Sequence, residues 1–101
     1  MRHKSEKHNH DYIIKEATKL AEKIGRDNIK FELIANELEI TRTILYKLFS
    51  STEELKEAVL AYAILNEVIV LIIEAIIFKK IKISSLSKGI RFKIINYIGS
   101  L

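Results

Sequence analysis

The sequence contains no cysteine, no proline and no tryptophan, and only three glycines, at 25, 89 and 99. Without cysteine there is no disulfide framework and no thiolate metal site, which fits an intracellular, cytoplasmic protein. Without proline nothing forces a helix to stop, and no glycine interrupts the chain between Gly25 and Gly89. Reactive groups are equally scarce: histidine stands only at 3, 8 and 10, aspartate only at 11 and 27, and no glycine-rich loop is present to cradle a phosphate. Catalysis needs convergent reactive groups, so neither an enzyme nor a cofactor is expected. A His8/His10 pair has metal-ligating chemistry, but two histidines on a polar tail read more simply as solvated, and no metal site is expected.

What the chain does have is apolar and basic material. Its 101 residues, 49% hydrophobic, suffice for one small core. The net charge of +4 and isoelectric point near 9.3 favour a polyanionic partner. The charge is unevenly placed, with +2 over residues 1–52, −4 over 53–78 and +6, with no acid at all, over 79–101. Residues 1–11, MRHKSEKHNHD, lack the apolar core of a signal peptide. They are expected to be a flexible basic tail that could lie along a phosphate backbone.

The stretch from Phe31 to Leu48 carries the sharpest pattern. Phe31, Ile34, Ala35 and Leu38 mark one apolar helical face, Ile44, Leu45, Leu48 and Phe49 mark a second, and only Glu39, Ile40 and Thr41 separate them. Two short helices joined by so tight a turn make a helix-turn-helix, whose second helix lies in the DNA major groove. Small Ala35 suits close approach of the helices, Ile40 fills the turn, and the Thr41 hydroxyl can cap the second helix. Glu39 occupies a position where positive φ is common and glycine usual, at a cost of roughly 1 kcal/mol. The exposed face of the second helix would carry Thr41, Arg42, Thr43, Tyr46 and Lys47, side chains that reach phosphates and base edges. Before it, Ile13, Ile14, Ala17, Leu20, Ala21 and Ile24 recur at helical spacing, with Asp11 expected as N-cap, Gly25 past the end, and Asn28 expected to cap the next helix.

From Ile13 to Leu55 the chain resembles, without a gap, the DNA-binding domain of the TetR family of bacterial and archaeal transcription regulators. The resemblance rests on IIKEATKLAEKIG (Ile13 to Gly25), LIANELEIT (Leu33 to Thr41) and ILYKLFSSTEEL (Ile44 to Leu55). Its most specific part is the aromatic end of the recognition helix, Leu45, Tyr46 and Phe49, followed by Ser51 to Leu55 opening the next helix. The family implies a three-helix head, a long connecting helix and a C-terminal helical domain that binds an effector and dimerises. It also implies a phosphate contact near Ile29 or Lys30, which Lys30 would supply as a charge. Three positions depart from the pattern: Leu48 where the family commonly has Tyr or His, Thr52 where it commonly has Lys, and Glu39 in place of the turn glycine.

Ser51 and Thr52 open the longest helical signal, with Glu53, Glu54 and Glu57 near its start where the helix dipole favours anions. One helix from Thr52 to about Lys80 is expected, roughly 40 Å long. Its second half, Ala58 to Phe78, is apolar on nearly every face. As a membrane span it comes out near break-even, because thirteen Ile, Leu, Val and Phe at about −0.3 to −0.6 kcal/mol oppose Glu67 and Glu74 at roughly +2.5 to +3.5 each. Burial in a core or an oligomer interface is the expected use, and a membrane association the lesser one. Beyond Phe78, Ser84, Ser85 and Ser87 mark a break. A last helix to Ile98 with Ile90, Ile94, Tyr97 and Ile98 on one face competes with a β-hairpin, since Ile81/Ile83 and Ile90/Phe92/Ile94 alternate. The six basic residues from Lys79 to Lys93 read as a solvated face, alternatively as a second nucleic-acid surface, with Glu67 and Glu74 of a neighbour as pairing partners.

The expected architecture is therefore all-α: residues 1–11 a tail, 12–57 a helix-turn-helix head, and 58–101 a short dimerisation or regulatory region built on a long connecting helix and one short C-terminal helix. The expected activity is sequence-specific binding of double-stranded DNA by a TetR-type regulator, a repressor, acting as a homodimer through residues 58–78 and without a full effector domain. Its DNA contacts would be Lys30, Thr41, Arg42, Thr43, Tyr46, Lys47 and Thr52. The alternative is a protein-interaction module or membrane-associated regulator that uses the apolar segment 58–78.

Overall fold

Asn9, the first residue that the computed structural model describes (residues 9–101), caps the first helix. Its Oδ1 accepts from the backbone N–H of Asp11 at 2.8 Å and of Tyr12 at 3.1 Å, which satisfies two orphan donors of α1 (His10–Ile24). Asp11, expected as the cap, instead sits in the first turn, so α1 starts inside the segment expected as tail. The rest of the expected tail, residues 1–8 with His8, lies outside the described residues. The His10 ring stacks on Phe49 with centroids 4.7 Å apart.

The described residues form six α-helices and no strand. After α1 come α2 (Phe31–Leu38), α3 (Arg42–Leu48), α4 (Thr52–Leu65), α5 (Ile69–Ile77) and α6 (Lys88–Gly99), with single 3-10 turns at Arg26–Asn28 and Ile83–Ser85. The C-terminal segment is thus a helix and not a hairpin of strands; Ser87 Oγ caps α6 by accepting from Ile90 N–H at 3.2 Å. On α6, Ile90 and Ile94 are buried, whereas Ile98, expected on the same face, is 55% exposed. Asn28 does not cap α2 but closes α1, its Nδ2 donating to Ile24 O at 2.6 Å.

The single connecting helix expected from Thr52 to Lys80 is two helices. It breaks at Asn66 and Glu67, where Glu67 takes φ 57° and Asn66 Nδ2 donates back to Tyr62 O at 2.9 Å. The break lets α5 fold back so that Leu71, Ile72 and Ala75 become buried, at 2%, 0% and 1% exposure. Burying a Leu and an Ile contributes about 1.5–3 kcal/mol each, against ~1–2 kcal/mol for one residue in the left-handed region. Folding back therefore wins. No helix of the described residues is long and apolar enough to cross a membrane, which removes the span considered for 58–78.

The same device ends three helices. Glu39, directly after α2, and Glu67 and Lys79, each separated by one residue from the end of α4 and α5, all have positive φ (57°, 57° and 61°). In each case the following amide reaches back to an alanine carbonyl: Ile40 N–H to Ala35 O at 3.0 Å, Val68 N–H to Ala63 O at 2.8 Å, and Lys80 N–H to Ala75 O at 2.8 Å. These are Schellman closures with a charged residue where glycine is usual.

Two cores result. Leu45, Phe49, Leu55 and Val59, all at most 1% exposed, join the apolar faces of α1 and α2 in the head, and Leu71 of α5 reaches into them. Ile72, Leu86, Ile90 and Ile94 form a smaller cluster between α5 and α6. A brace links the parts. Glu74 of α5 accepts from Arg26 N–H at 3.1 Å, while the buried Arg26 side chain donates from Nη1 to Lys56 O of α4 at 3.0 Å. Glu74 thus engages its own chain, and Lys93 of α6 pairs with Glu67 of the same chain; the neighbour expected for these acids is not needed to partner them.

Candidate nucleic-acid interface

The turn between α2 and α3 sets the geometry of the site. Glu39 in the left-handed region (φ 57°, ψ 45°) ends α2, half-buried Ile40 packs on the head core, and Thr41 turns the chain into α3. Thr41 Oγ1 accepts from Ile44 N–H at 3.4 Å, a long cap that still answers one orphan donor at the start of α3. A helix of seven residues is too short to hold itself. Leu45, 0% exposed, and Phe49, 1% exposed, pin it to the core, with Ile44 and Leu48 half-buried beside them.

With that face fixed inward, Thr41, Arg42, Thr43, Tyr46 and Lys47 are all exposed. Tyr46, at 60% exposure, is not loose: its ring meets Phe31 edge-on with centroids 4.7 Å apart. Lys30, exposed at the entry to α2, and half-buried Thr52 at the start of α4 share a shallow depression with Arg42 and Tyr46. Thr41, Thr43 and Lys47 lie on the surface of the same helix and do not line that depression. Lys56, not among the contacts expected from the sequence, also lines it, and its Nζ lies 3.6 Å from Glu53. Its position four residues after Thr52, on the same side of α4, is the signal that would have found it. Glu32 and Glu53 line the depression too and temper its positive charge.

The entry to α4 is tightly built. Ser51 Oγ accepts from Glu54 N–H at 3.1 Å, and the Glu54 carboxylate accepts from Ser50 N–H at 3.1 Å and from the Ser50 hydroxyl. Hydrogen bonds from the Ser50 side chain and backbone hold the Glu54 carboxyl below its ordinary value. This junction fixes where α3 stops and α4 begins, and so the relation of Tyr46 to Thr52.

A family model for "Bacterial regulatory proteins, tetR family" matches residues 13–59, the span from α1 into α4. No curated protein and no solved structure matches the chain. Residues 13–59 are a helix-turn-helix DNA-binding domain of the TetR family of transcription regulators.

Proposed function

We propose that the protein is a sequence-specific repressor that reads double-stranded DNA with α3. The observation that carries this reading is the division of α3: one side locked by Leu45 and Phe49, the other presenting Thr41, Arg42, Thr43, Tyr46 and Lys47, all exposed among the described residues. In this reading Arg42, Thr43 and Tyr46 address base edges and the adjoining sugar-phosphate, while Lys47, Lys30 and Thr52 fix the register on phosphates. Arg42 to a guanine is the favoured single contact, because its fork matches O6 and N7. Thr41 shapes the start of the helix and faces the backbone.

Self-association is part of the reading: Ala61, Leu65, Val70, Ile77 and Phe78 leave apolar surface exposed on α4, on α5 and just past its end, Leu65 at 82%. Two copies joined there would present two α3 helices to two half-sites. Light scattering that finds a soluble monomer at high concentration would remove the dimer. No effector pocket is proposed. The apolar surface on α4 and α5 also keeps a protein-interaction module as the second reading.

Selection from random duplex DNA tests the main reading and yields site symmetry. Against the selected site, Arg42→Ala should lose about 1–3 kcal/mol and relax specificity at one position. Lys47→Ala should weaken all sequences alike and reduce the salt slope by about one. No enriched site, or unchanged affinity and salt slope for both variants, would sink the proposal.

A further inference from the structure

Helix α6 has apolar residues on two sides. Ile90 and Ile94 are buried against the cluster around Ile72 of α5. Outside that buried pair, Phe92 and Ile95 are each 64% exposed, and Ile98, one turn beyond Ile94 at the edge of the same stripe, is 55% exposed. At the helical repeat these three share an arc about 120° wide with Lys88 and Arg91. Cations and apolar groups thus occupy one arc, not opposite faces. No acidic residue stands anywhere from 79 to 101.

That composition selects the occupant. A second copy of α6 would bring like charges together, which opposes association through this face. An acidic helix would have to desolvate Lys88 and Arg91 inside the seam. At a bilayer surface, anionic headgroups lie directly above acyl chains, so the lysine and arginine stems can run outward to phosphates while Phe92, Ile95 and Ile98 enter the boundary below. We propose that the outer face of α6 docks on an anionic lipid bilayer, lying along the surface without crossing it. This goes beyond DNA recognition and uses none of its residues.

Cosedimentation of the full chain with vesicles tests it, comparing pure phosphatidylcholine with phosphatidylcholine mixed with phosphatidylglycerol. Binding should require the anionic lipid and weaken with salt. The double variant Lys88→Glu, Arg91→Glu should bind at least roughly 20-fold more weakly. Phe92→Asp with Ile95→Asp should abolish binding while keeping the helical circular dichroism and the affinity for the selected DNA site, since both side chains are largely exposed. Arg42→Ala with Lys47→Ala should still sediment with the vesicles. Absence of binding, binding retained by the α6 variants, or binding lost with the α3 variants would overturn the proposal. So would self-association, or capture of a synthetic acidic amphipathic peptide, that the Phe92 and Ile95 variants abolish in the absence of vesicle binding.

Discussion

Replacing Glu39 by glycine should make the protein more stable, although it deletes a side chain next to the proposed DNA-reading helix. Glu39 stands at φ 57° and ψ 45°, where the Cβ of an L-residue crowds the backbone. That crowding costs ~1–2 kcal/mol, and glycine avoids it while losing ~0.5–1 kcal/mol of chain entropy on folding. The net gain is about 0.5–1 kcal/mol, equivalent to a rise of roughly 2–8 °C in melting temperature for a domain of this size. The closing hydrogen bonds, Glu39 N–H to Asn36 O at 3.4 Å and Ile40 N–H to Ala35 O at 3.0 Å, involve only main chain and survive the change. Glu39→Ala serves as control, because alanine keeps the Cβ and should stay within about 0.5 kcal/mol of the parent. Urea unfolding followed by circular dichroism should show the midpoint of Glu39→Gly above those of the parent and the alanine variant, with an unchanged slope. If glycine and alanine prove equally stable, strain at this turn is not what the dihedral angles imply.

Three further outcomes can be measured on the same protein. Leu45→Ala, which empties a fully buried site under α3, should cost about 2–5 kcal/mol in denaturant unfolding and weaken DNA binding at temperatures where the head loosens. Gly25→Ala should destabilise by at least ~1–3 kcal/mol, since φ is 93° there and the added Cβ would meet Glu74 Oε2 at 3.0 Å; parent-like stability would contradict it. The hydrogen-bonded Glu54 carboxylate has a lowered folded pKa, so its stabilising effect is present above the unfolded glutamate value and fades as pH falls through the folded one. Glu54→Gln should therefore show a smaller loss of stability on acidification than the parent, and a parallel loss would discount the Ser50 contacts.

The head was legible because its helices are short, strongly periodic and closed by recognisable residues. Leu45 and Phe49 could be placed inward and Arg42, Tyr46 and Lys47 outward from spacing alone, and Thr41 announced its cap. The break at Glu67 was not legible. No glycine or proline marks it, and local preference favours continuing the helix; what ends it is the burial of Leu71, Ile72 and Ala75, a gain that exists only once the chain has turned back. Asp11 was expected to cap α1 where Asn9 does, because the apolar spacing that marks the helix does not fix its first turn to within two residues. For Lys56 the spacing from Thr52 gives the side of α4 but not its neighbourhood with Lys30 and Arg42, which depends on how α4 crosses the head.

Glu74 is the one acid of α5, and it spends its carboxylate on the amide of Arg26, just where Gly25 leaves room for it. The guanidinium of that same arginine is tied to the backbone of α4. A shift of α5 would therefore strain or break the bond that holds it to the turn between α1 and α2. Three helices, α1 through its exit turn, α4 and α5, thus meet at one arginine, and no two of them can move apart there without giving up one of its two bonds.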